Sequence, residues 1–330
     1  MRRVTIRDVA AAAGVSIGTA SKALNGQGKL RAETRERVAQ AAERLGFAPN
    51  TLAQALLAGR SFTVGLITTD SFGRFSIPVM LGAEDALGNG QVSVFMCDTR
   101  DDPERERRYT DMLSARRVDG LIVTGRRIEA RPPVIAGPGI PVVYAMTQPL
   151  GEDGPAVLPD DEGGGRAAAE HLLASGRRWI GHITGPERFL AARKRATGFG
   201  HALAAAGARP HGGARFGEWS EHWGREAAGR LLADQPDTDA IFCGSDQIAR
   251  GVGDTLRAAG RRIPDDVALV GFDNWEPMAL GAQPPLTSVD MCLEEVGRAA
   301  AELLLAAMGE ESARGVRIVP SRLVVRQSSL

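Results

Sequence analysis

The sequence predicts an α/β protein built as an all-α helix-turn-helix head followed by a two-lobed body of doubly wound parallel sheets. Three observations carry this. The chain has 330 residues, enough for about two domains at ~150 residues each plus a small module. Its first 45 residues show short 3.6-period segments broken by glycine, whereas from Ser61 onward short apolar runs alternate with amphipathic helical stretches. Charge also divides along the chain: residues 1–60 hold ten Lys/Arg against four acids, a net of +6, and since the whole chain is neutral the remaining 270 residues carry −6. A basic head on an acidic body is the asymmetry of a protein that presents one end to phosphate.

In the head, Thr5 and Asp8 have the spacing of a capping box, and Ile6, Val9, Ala10 and Ala13 form an apolar stripe that Gly14 ends. Ser16 is placed to cap a second helix from Ile17 to about Asn25, with Ala20, Ala23 and Leu24 inward and Gly18, Thr19, Ser21 and Lys22 small or polar. Two helices joined by a short glycine-containing turn make a helix-turn-helix. A third helix, about Ala32 to Leu45, brings Val38, Ala41, Ala42 and Leu45 over the pair, and Gly46 stops it. Pro49 blocks further helix, and Asn50 can cap a segment from Thr51 to Ala58. At about eight residues that segment is below the ~12–15 at which an isolated helix holds in water, so its order depends on a partner.

In the body, strands are expected at Thr63–Thr68, Val92–Cys97, Gly120–Thr124, Val142–Ala145, Trp179–Thr184, Ala240–Cys243 and Val267–Gly271, with helices between them. Repeated βαβ units imply parallel sheets covered on both faces. The Gly/Pro-rich stretch Gln148–Pro159 suggests the break between two lobes, and a small ligand would sit in the cleft between them.

Composition excludes several classes. Hydrophobic residues are 43% and charged residues 24% of the chain, too apolar for a disordered protein. Cys97, Cys243 and Cys292 lie far apart without CxxC spacing, giving neither a disulfide framework nor a zinc site and fitting a reducing cytoplasm. The N-terminus has no secretory apolar run, and no stretch approaches the ~20 apolar residues of a membrane span. Enzyme signals are thin: no GxxxxGK or HExxH string occurs, and the five histidines fall at no metal spacing. Gly163-Gly164-Gly165-Arg166-Ala167-Ala168 fits GxGxxA, but no acid follows about 20 positions on, which opposes dinucleotide binding. No cofactor, no metal and no catalytic residue is expected.

Three groups of residues point to binding. Ile17, Gly18 and Lys22 could meet base edges while Thr19, Ser21 and Asn25 hold phosphates; the plain alternative is a three-helix bundle that binds protein. Leu56 and Leu57 could wedge into a minor groove or simply pack on a neighbour. In the body Arg195, Asp273 and Trp219 suit a polyol site, charged groups bonding hydroxyls and an aromatic face stacking on a ring; alternatively Arg193, Lys194 and Arg195 are a solvated helix start and Trp219 is core.

The head from Val4-Thr5-Ile6-Arg7-Asp8-Val9-Ala10 through Thr19-Ala20-Ser21-Lys22-Ala23-Leu24-Asn25 to Leu45-Gly46-Phe47-Ala48-Pro49-Asn50 resembles the lactose-repressor (LacI/GalR) family. The likeness continues at Val64-Gly65-Leu66-Ile67, Val118-Asp119-Gly120-Leu121-Ile122, Val270-Gly271-Phe272-Asp273-Asn274 and Leu286-Thr287-Ser288-Val289. It implies a transcriptional repressor of carbohydrate metabolism or uptake, a homodimer or tetramer, with a periplasmic-binding-protein-like body. It implies a head at 1–48, a hinge helix at 49–60, and a body at 61–330 whose first lobe spans about 62–161 and 290–320 and whose second spans about 162–289 and 321–330. The partners it implies are double-stranded DNA with a near-palindromic operator and a small effector, a sugar or sugar phosphate. DNA contacts would then fall on Thr5, Ser16, Ile17, Gly18, Thr19, Ser21, Lys22, Asn25, Thr34, Asn50 and Ala53, with Leu56 the wedge. Effector contacts would fall on Phe75, Ser76, Arg195, Trp219, Ser245 and Asp273. The chain departs from the pattern in three places: Gly18 has no side chain to read with, Arg31 replaces a common capping Ser, and Ser245-Asp246 stands where sugar-responsive relatives often have Asn-Asp. A purine or other non-sugar effector, a sugar-uptake binding protein and a sugar-transforming enzyme are the alternatives.

Overall fold

The structure is a computed structural model that describes residues 4–24, 28–47, 60–88, 92–151, 154–309 and 314–330. The expected roles of Asn25, Asn50, Ala53, Leu56 and the helix over 51–58 lie outside the described residues. The chain forms two compact units, Met1–Ser61 and Phe62–Leu330.

The first unit holds helices α1 (Ile6–Ala13), α2 (Ile17–Leu24) and α3 (Ala32–Leu45). The Asp8 carboxylate accepts hydrogen bonds from the Thr5 N–H and Oγ at 2.8 and 2.7 Å, the acidic half of the expected capping box. Gly14 ends α1 and Gly46 ends α3, both in the left-handed conformation that glycine adopts without strain. The Ser16 hydroxyl accepts from the Thr19 N–H at 3.1 Å and starts α2, whereas α3 begins at Arg31 with no side-chain cap. Val9, Ala10, Ala13, Ala20, Val38, Ala41 and Ala42 form the core, so small residues let three short helices meet closely. Arg37 donates from Nε to the Ala13 carbonyl at 3.0 Å, tying α3 to the end of α1.

The second unit carries two six-stranded sheets and a two-stranded one, in which β4 (Ala130–Arg131) pairs with β6 (Gln148–Pro149). In the first, β1 (Thr63–Thr68) lies between β2 (Ser93–Asp98) and β3 (Gly120–Thr124), and the order continues through β5 (Val142–Ala145), β7 (Ala156–Pro159) and β13 (Val316–Val319), all parallel. In the second, β9 (Ala214–Phe216), β8 (Ile180–Thr184), β10 (Ala240–Cys243), β11 (Ala268–Phe272) and β12 (Thr287–Asp290) run parallel, and β14 (Arg322–Val324) closes the edge antiparallel. Fully buried strands such as Gly120–Thr124 and Ala268–Phe272 read as continuous apolar runs because helices cover both faces. The chain crosses between the sheets after β7, returns after β12 through the helix Leu293–Met308, adds β13 to the first sheet, and ends on the second.

Five strands of the six-stranded sheets lie outside the pattern read from the sequence: Ala156–Pro159, Ala214–Phe216, Thr287–Asp290, Val316–Val319 and Arg322–Val324. All are three or four residues long, too short for a period to show. Gln148–Pro159 is therefore not simply a break between lobes, since its last four residues are a buried strand of the first sheet.

The glycine run after Asp161 serves packing. A Cβ on Gly165 would overlap the Arg195 carbonyl, and one on Gly198 would overlap the Glu162 carbonyl, so two glycines let helices Asp161–Ala174 and Leu190–Ala205 cross backbone to backbone. This crossing fixes Arg195 and accounts for Gly165 of the GxGxxA match, whereas a Cβ on Gly163 would overlap the Asp160 carboxylate that caps the same helix.

Candidate functional site

Between the sheets lies a cleft of about 560 Å³, within the range of small-molecule sites. Phe72, Phe75, Phe189, Trp219 and Trp275 give it aromatic walls, and Arg74, Arg195, Ser245, Gln247 and Asp273 supply polar groups.

Arg195 is 6% exposed and is held on every side. Its Nε meets Asp161 Oδ1 at 2.7 Å, and its Nη1 donates to the Gly244 carbonyl at 2.6 Å and reaches Asp273 Oδ1 at 3.4 Å. Its guanidinium lies 3.7 Å from the Phe272 ring centre and 5.6 Å from that of Trp219. The reading of Arg195 as a solvated helix start is thus overturned, although Arg193 does sit exposed in that way. Trp219 is half-buried, one face on Gly185 and its ring on the cleft wall, so it is core and lining at once.

Asp273 follows β11 with a positive φ of 101°, and Asn274 comes next at 48°, a strained pair of the kind that structures maintain at ligand sites. Its second oxygen pairs with Arg74, which comes from the first lobe. Arg74 also donates to Gln247 Oε1 at 3.0 Å, with its guanidinium between Phe75 and Trp275 at 5.0 and 4.5 Å. Both lobes thus meet on one carboxylate.

Asp246 lies behind the floor. Its oxygens meet the Ser288 hydroxyl at 2.5 Å and the Trp275 N–H at 2.7 Å. Burial, followed by the Asp273 charge, pushes its pKa up to about 8, so at pH 7 it is mostly a neutral acid. Burial also raises the Asp161 pKa against the opposing pull of Arg195. His182, stacked on Phe242 at 4.7 Å, is pushed down to about 4 by burial and stays uncharged at pH 7.

Of the residues expected at the effector site, Phe75, Arg195, Trp219, Ser245 and Asp273 line the cleft together. Ser245 also caps helix Asp246–Ala258, its hydroxyl accepting from the Ile248 N–H at 3.3 Å. Ser76 does not line it: Ser76 is buried at the start of helix Ser76–Ala86, its N–H donating to Asp70 Oδ2 at 3.0 Å and its hydroxyl 3.3 Å from the same oxygen. Its backbone requirement at the helix start wins over exposure to the cleft.

Sequence reasoning missed Arg74, Asp161, Gln247 and Trp275. Arg74 stands between Phe72 and Phe75, and Trp275 follows Asp273-Asn274, so aromatic neighbours of a charged residue were the available signal. Nothing in spacing alone links Asp161 to Arg195, because the glycine crossing brings them together.

In the head, Ile17 is 48% exposed, and Gly18 and Lys22 are exposed beside it, while Ala20 is buried. Thr19, Ser21 and Thr34 are half-buried, Thr5 and Ser16 exposed. The Ser16 and Thr19 hydroxyls lie 2.9 Å apart, so part of their bonding capacity is used within the helix start.

A helix-turn-helix unit joined to a two-lobed body with a ligand-sized cleft defines a DNA-binding regulator with a periplasmic-binding-protein-like sensor. Comparison with known families agrees: residues 5–50 match the bacterial regulatory proteins of the lacI family, and 169–329 match the periplasmic binding protein-like domain. The HTH-type transcriptional regulator CelR of Thermobifida fusca is 36% identical over 99% of this chain and 98% of its own length. A solved CelR–cellobiose complex superposes with a TM-score of 0.69 at 33% identity, covering 99% of this chain and 100% of that one. A lac repressor dimer bound to operator and an anti-inducer superposes with a TM-score of 0.76 at 27% identity over 100% of both chains. This chain belongs to the LacI family of transcriptional regulators. No helix among the described residues is long and apolar enough to cross a membrane, and no group of three or more His, Cys, Asp or Glu there could hold a metal ion.

Proposed function

We propose that this regulator is a repressor of carbohydrate genes that acts as a homodimer in the cytoplasm and binds a neutral sugar in the cleft between its lobes. The observation that carries the effector reading is the convergence of Arg195 and Asp273 from one lobe and Arg74 from the other between aromatic walls. Carboxylate and guanidinium pairs bond vicinal hydroxyls, and Trp219, Trp275 and Phe75 present faces to the apolar side of a ring. The solved CelR–cellobiose complex supports the same class of ligand. The site works by binding, not turnover.

On DNA, the exposed Ile17, Gly18 and Lys22 of α2 face base edges, Lys22 carrying most of the choice because Gly18 has no side chain. Thr5, Ser16, Thr19, Ser21, Asn25, Thr34 and Asn50 position the head on phosphates, and Ala53 and Leu56 belong to a hinge segment whose leucine enters the minor groove. Effector binding changes the lobe angle and shifts operator affinity by a coupling of about 1–3 kcal/mol.

The test is capture of sheared genomic DNA by the purified protein, sequencing of what is retained, and repetition with separate panels of sugars and purine bases. Near-palindromic sites beside carbohydrate genes, gained or lost with one sugar, are the expected result. A response confined to purines would replace the effector class, and absence of any preferred sequence would overturn the assignment of α2.

A further inference from the structure

Asn274 follows the floor carboxylate Asp273 and is not among the residues that line the cleft, yet its N–H and both ends of its amide are engaged. The N–H donates to the Ser288 hydroxyl at 3.0 Å, the side-chain NH₂ donates to Asp290 Oδ2 at 3.2 Å, and Oδ1 accepts from Arg326 Nη2 at 2.8 Å. A carboxylate on one side and a guanidinium on the other fix which way the amide faces. Asparagine suits the place twice over. It is one of the few residues with a side chain that accept a positive φ, and it offers a donor and an acceptor on one short side chain.

Its partners sit where the chain passes between the lobes, which it does after β7, after β12 and between β13 and β14. Asp290 is the last residue of β12, and its Oδ1 accepts from the Cys292 N–H at 2.8 Å. Cys292, itself at a positive φ of 53°, directly precedes helix Leu293–Met308, and Gly297 of that helix lies against the Val79 carbonyl of the first lobe. Arg326 follows β14 on the returning segment, and its Nη1 donates to the Leu286 carbonyl at 2.8 Å. β14 runs antiparallel to β12 and sets Arg322 opposite Asp290, with 3.5 Å between their charged groups. One amide thus bridges the outgoing and the returning crossing. It does so one residue from the carboxylate that pairs with Arg195 and Arg74.

We propose that Asn274 is the positioning residue that relays occupancy of the cleft to the angle between the lobes. The inference rests on the reading of the cleft as the effector site. An effector group that bonds Asp273 replaces part of its pairing with Arg74 and Arg195 and changes the torsions of the strained Asp273-Asn274 turn. Asn274 then carries Asp290 and Arg326 with it, at the points where the chain leaves and re-enters the second sheet, and a shift there swings the first lobe. The plain alternative is that these bonds only hold the turn in place. That alternative predicts a loss of effector affinity with the coupling to DNA intact, whereas the relay predicts the reverse.

The experiment uses the full-length protein and an operator fragment from the capture screen, with glucose, galactose, ribose, maltose, lactose, cellobiose, adenine and hypoxanthine as probes. Calorimetry gives the affinity for each probe, and anisotropy of labelled operator gives DNA affinity with and without it. In wild type the active probe is expected to change operator affinity by at least about fivefold. Asn274→Gly removes both side-chain bonds and leaves a residue at ease at positive φ; it should bring that change below about twofold and keep probe affinity within about threefold. Asn274→Asp retains the acceptor for Arg326 but sets a second carboxylate against Asp290, and it should uncouple in the same way. Combining Asn274→Asp with Asp290→Asn exchanges donor and acceptor, and the response should return to at least about threefold. A response of wild-type size in Asn274→Gly overturns the relay and leaves the sugar reading standing. Loss of probe affinity beyond about tenfold in that variant, whatever response remains, makes Asn274 part of the binding floor and also overturns the relay. So does a response lost in Asn274→Asp that the double variant fails to recover. If a purine alone is active, the sugar reading falls and the same criteria decide the relay with that purine. If no probe moves operator binding by wild type, the effector reading and the relay fall together.

Discussion

The two lobes face one cleft with different chemistry. The second lobe brings a network already tied together: Arg195 bonded to Asp161, Gly244 and Asp273, and Asp246 bonded to Ser288 and the Trp275 backbone. The first lobe brings Arg74, Phe72 and Phe75 on the loop before helix Ser76–Ala86, and of these Phe72 is 93% exposed. One side is therefore preorganised, while the other reaches across through Arg74 and leaves the Phe72 ring in solvent. A site built this way loses little entropy on its rigid side and uses its exposed side to sense occupancy.

The largest expected effect comes from breaking the rigid side. Asp161→Ala removes the closest carboxylate from a buried guanidinium, and breaking a buried pair by removing one member typically costs about 3–5 kcal/mol. Urea unfolding of the full chain measures this, following the body by its four tryptophans. A cost below about 1 kcal/mol would mean that Gly244 and Asp273 alone satisfy Arg195, and the second lobe would not be the rigid partner.

Next is a pH effect on the same lobe. The folded pKa of Asp246, about 8, lies above its unfolded value of 3.8, so the folded state holds a proton that the unfolded chain releases. Its contribution is complete at acid pH and is lost as pH rises from about 4 to 8. His182 works the other way: its folded pKa of about 4 lies below 6.5, so its contribution is present above 6.5 and lost as pH falls toward 4. Asp246 should therefore make stability decline as pH rises from 6.5 to 8, by on the order of 1 kcal/mol per unit. Asp246→Asn reproduces the protonated acid, its amide oxygen accepting from Trp275 and its NH₂ donating to Ser288. Unfolding curves of this variant should lose the decline, and a decline of unchanged slope would assign the titration to another group.

These residues also mark how far the sequence could be read. Three head helices were legible because glycine, capping residues and the alanine stripe are local signals, and nine residues such as Ile6 to Gly14 contain a complete one. Seven body strands were legible as apolar runs. The short strands were not, since β12 and β14 gain their order from neighbours across the sheet and not from their own pattern. In the cleft, Arg195, Asp273 and Trp219 were legible as a polyol set and Phe75 and Ser245 through the family likeness, while Asp161 and Arg74 are 34 and 199 residues from the side chains they bind. Such pairings depend on the crossing of helices and the meeting of lobes, which leave no trace in spacing.

On the first lobe the effects should be smaller. Arg74→Ala removes the cross-cleft pair with Asp273 and the guanidinium between Phe75 and Trp275, contacts worth about 0.5–2 kcal/mol when partly desolvated. Asp273 keeps Arg195 at 3.4 Å, so no carboxylate is left alone. Urea unfolding should show this modest loss, and small-angle scattering should show a wider body as the lobes part. A loss as large as that of Asp161→Ala would make the first lobe equally preorganised and dissolve the contrast.

Phe72→Ser gives the smallest effect on folding and the sharpest view of the difference. Phe72 lines the cleft but is almost wholly exposed, so the folded protein gains almost nothing from it, and its removal should change stability by no more than about 0.5 kcal/mol. If the first lobe closes on the effector, that ring becomes buried only in the complex. Losing a newly buried aromatic contact of ~0.5–1.5 kcal/mol should then weaken effector binding several-fold. Calorimetric titration with the sugar found by the operator screen, beside unfolding of the same variant, separates the two quantities. Equal affinity in Phe72→Ser and wild type would show that the ring stays in solvent in the complex, and closure would have to be carried by Arg74 and Phe75.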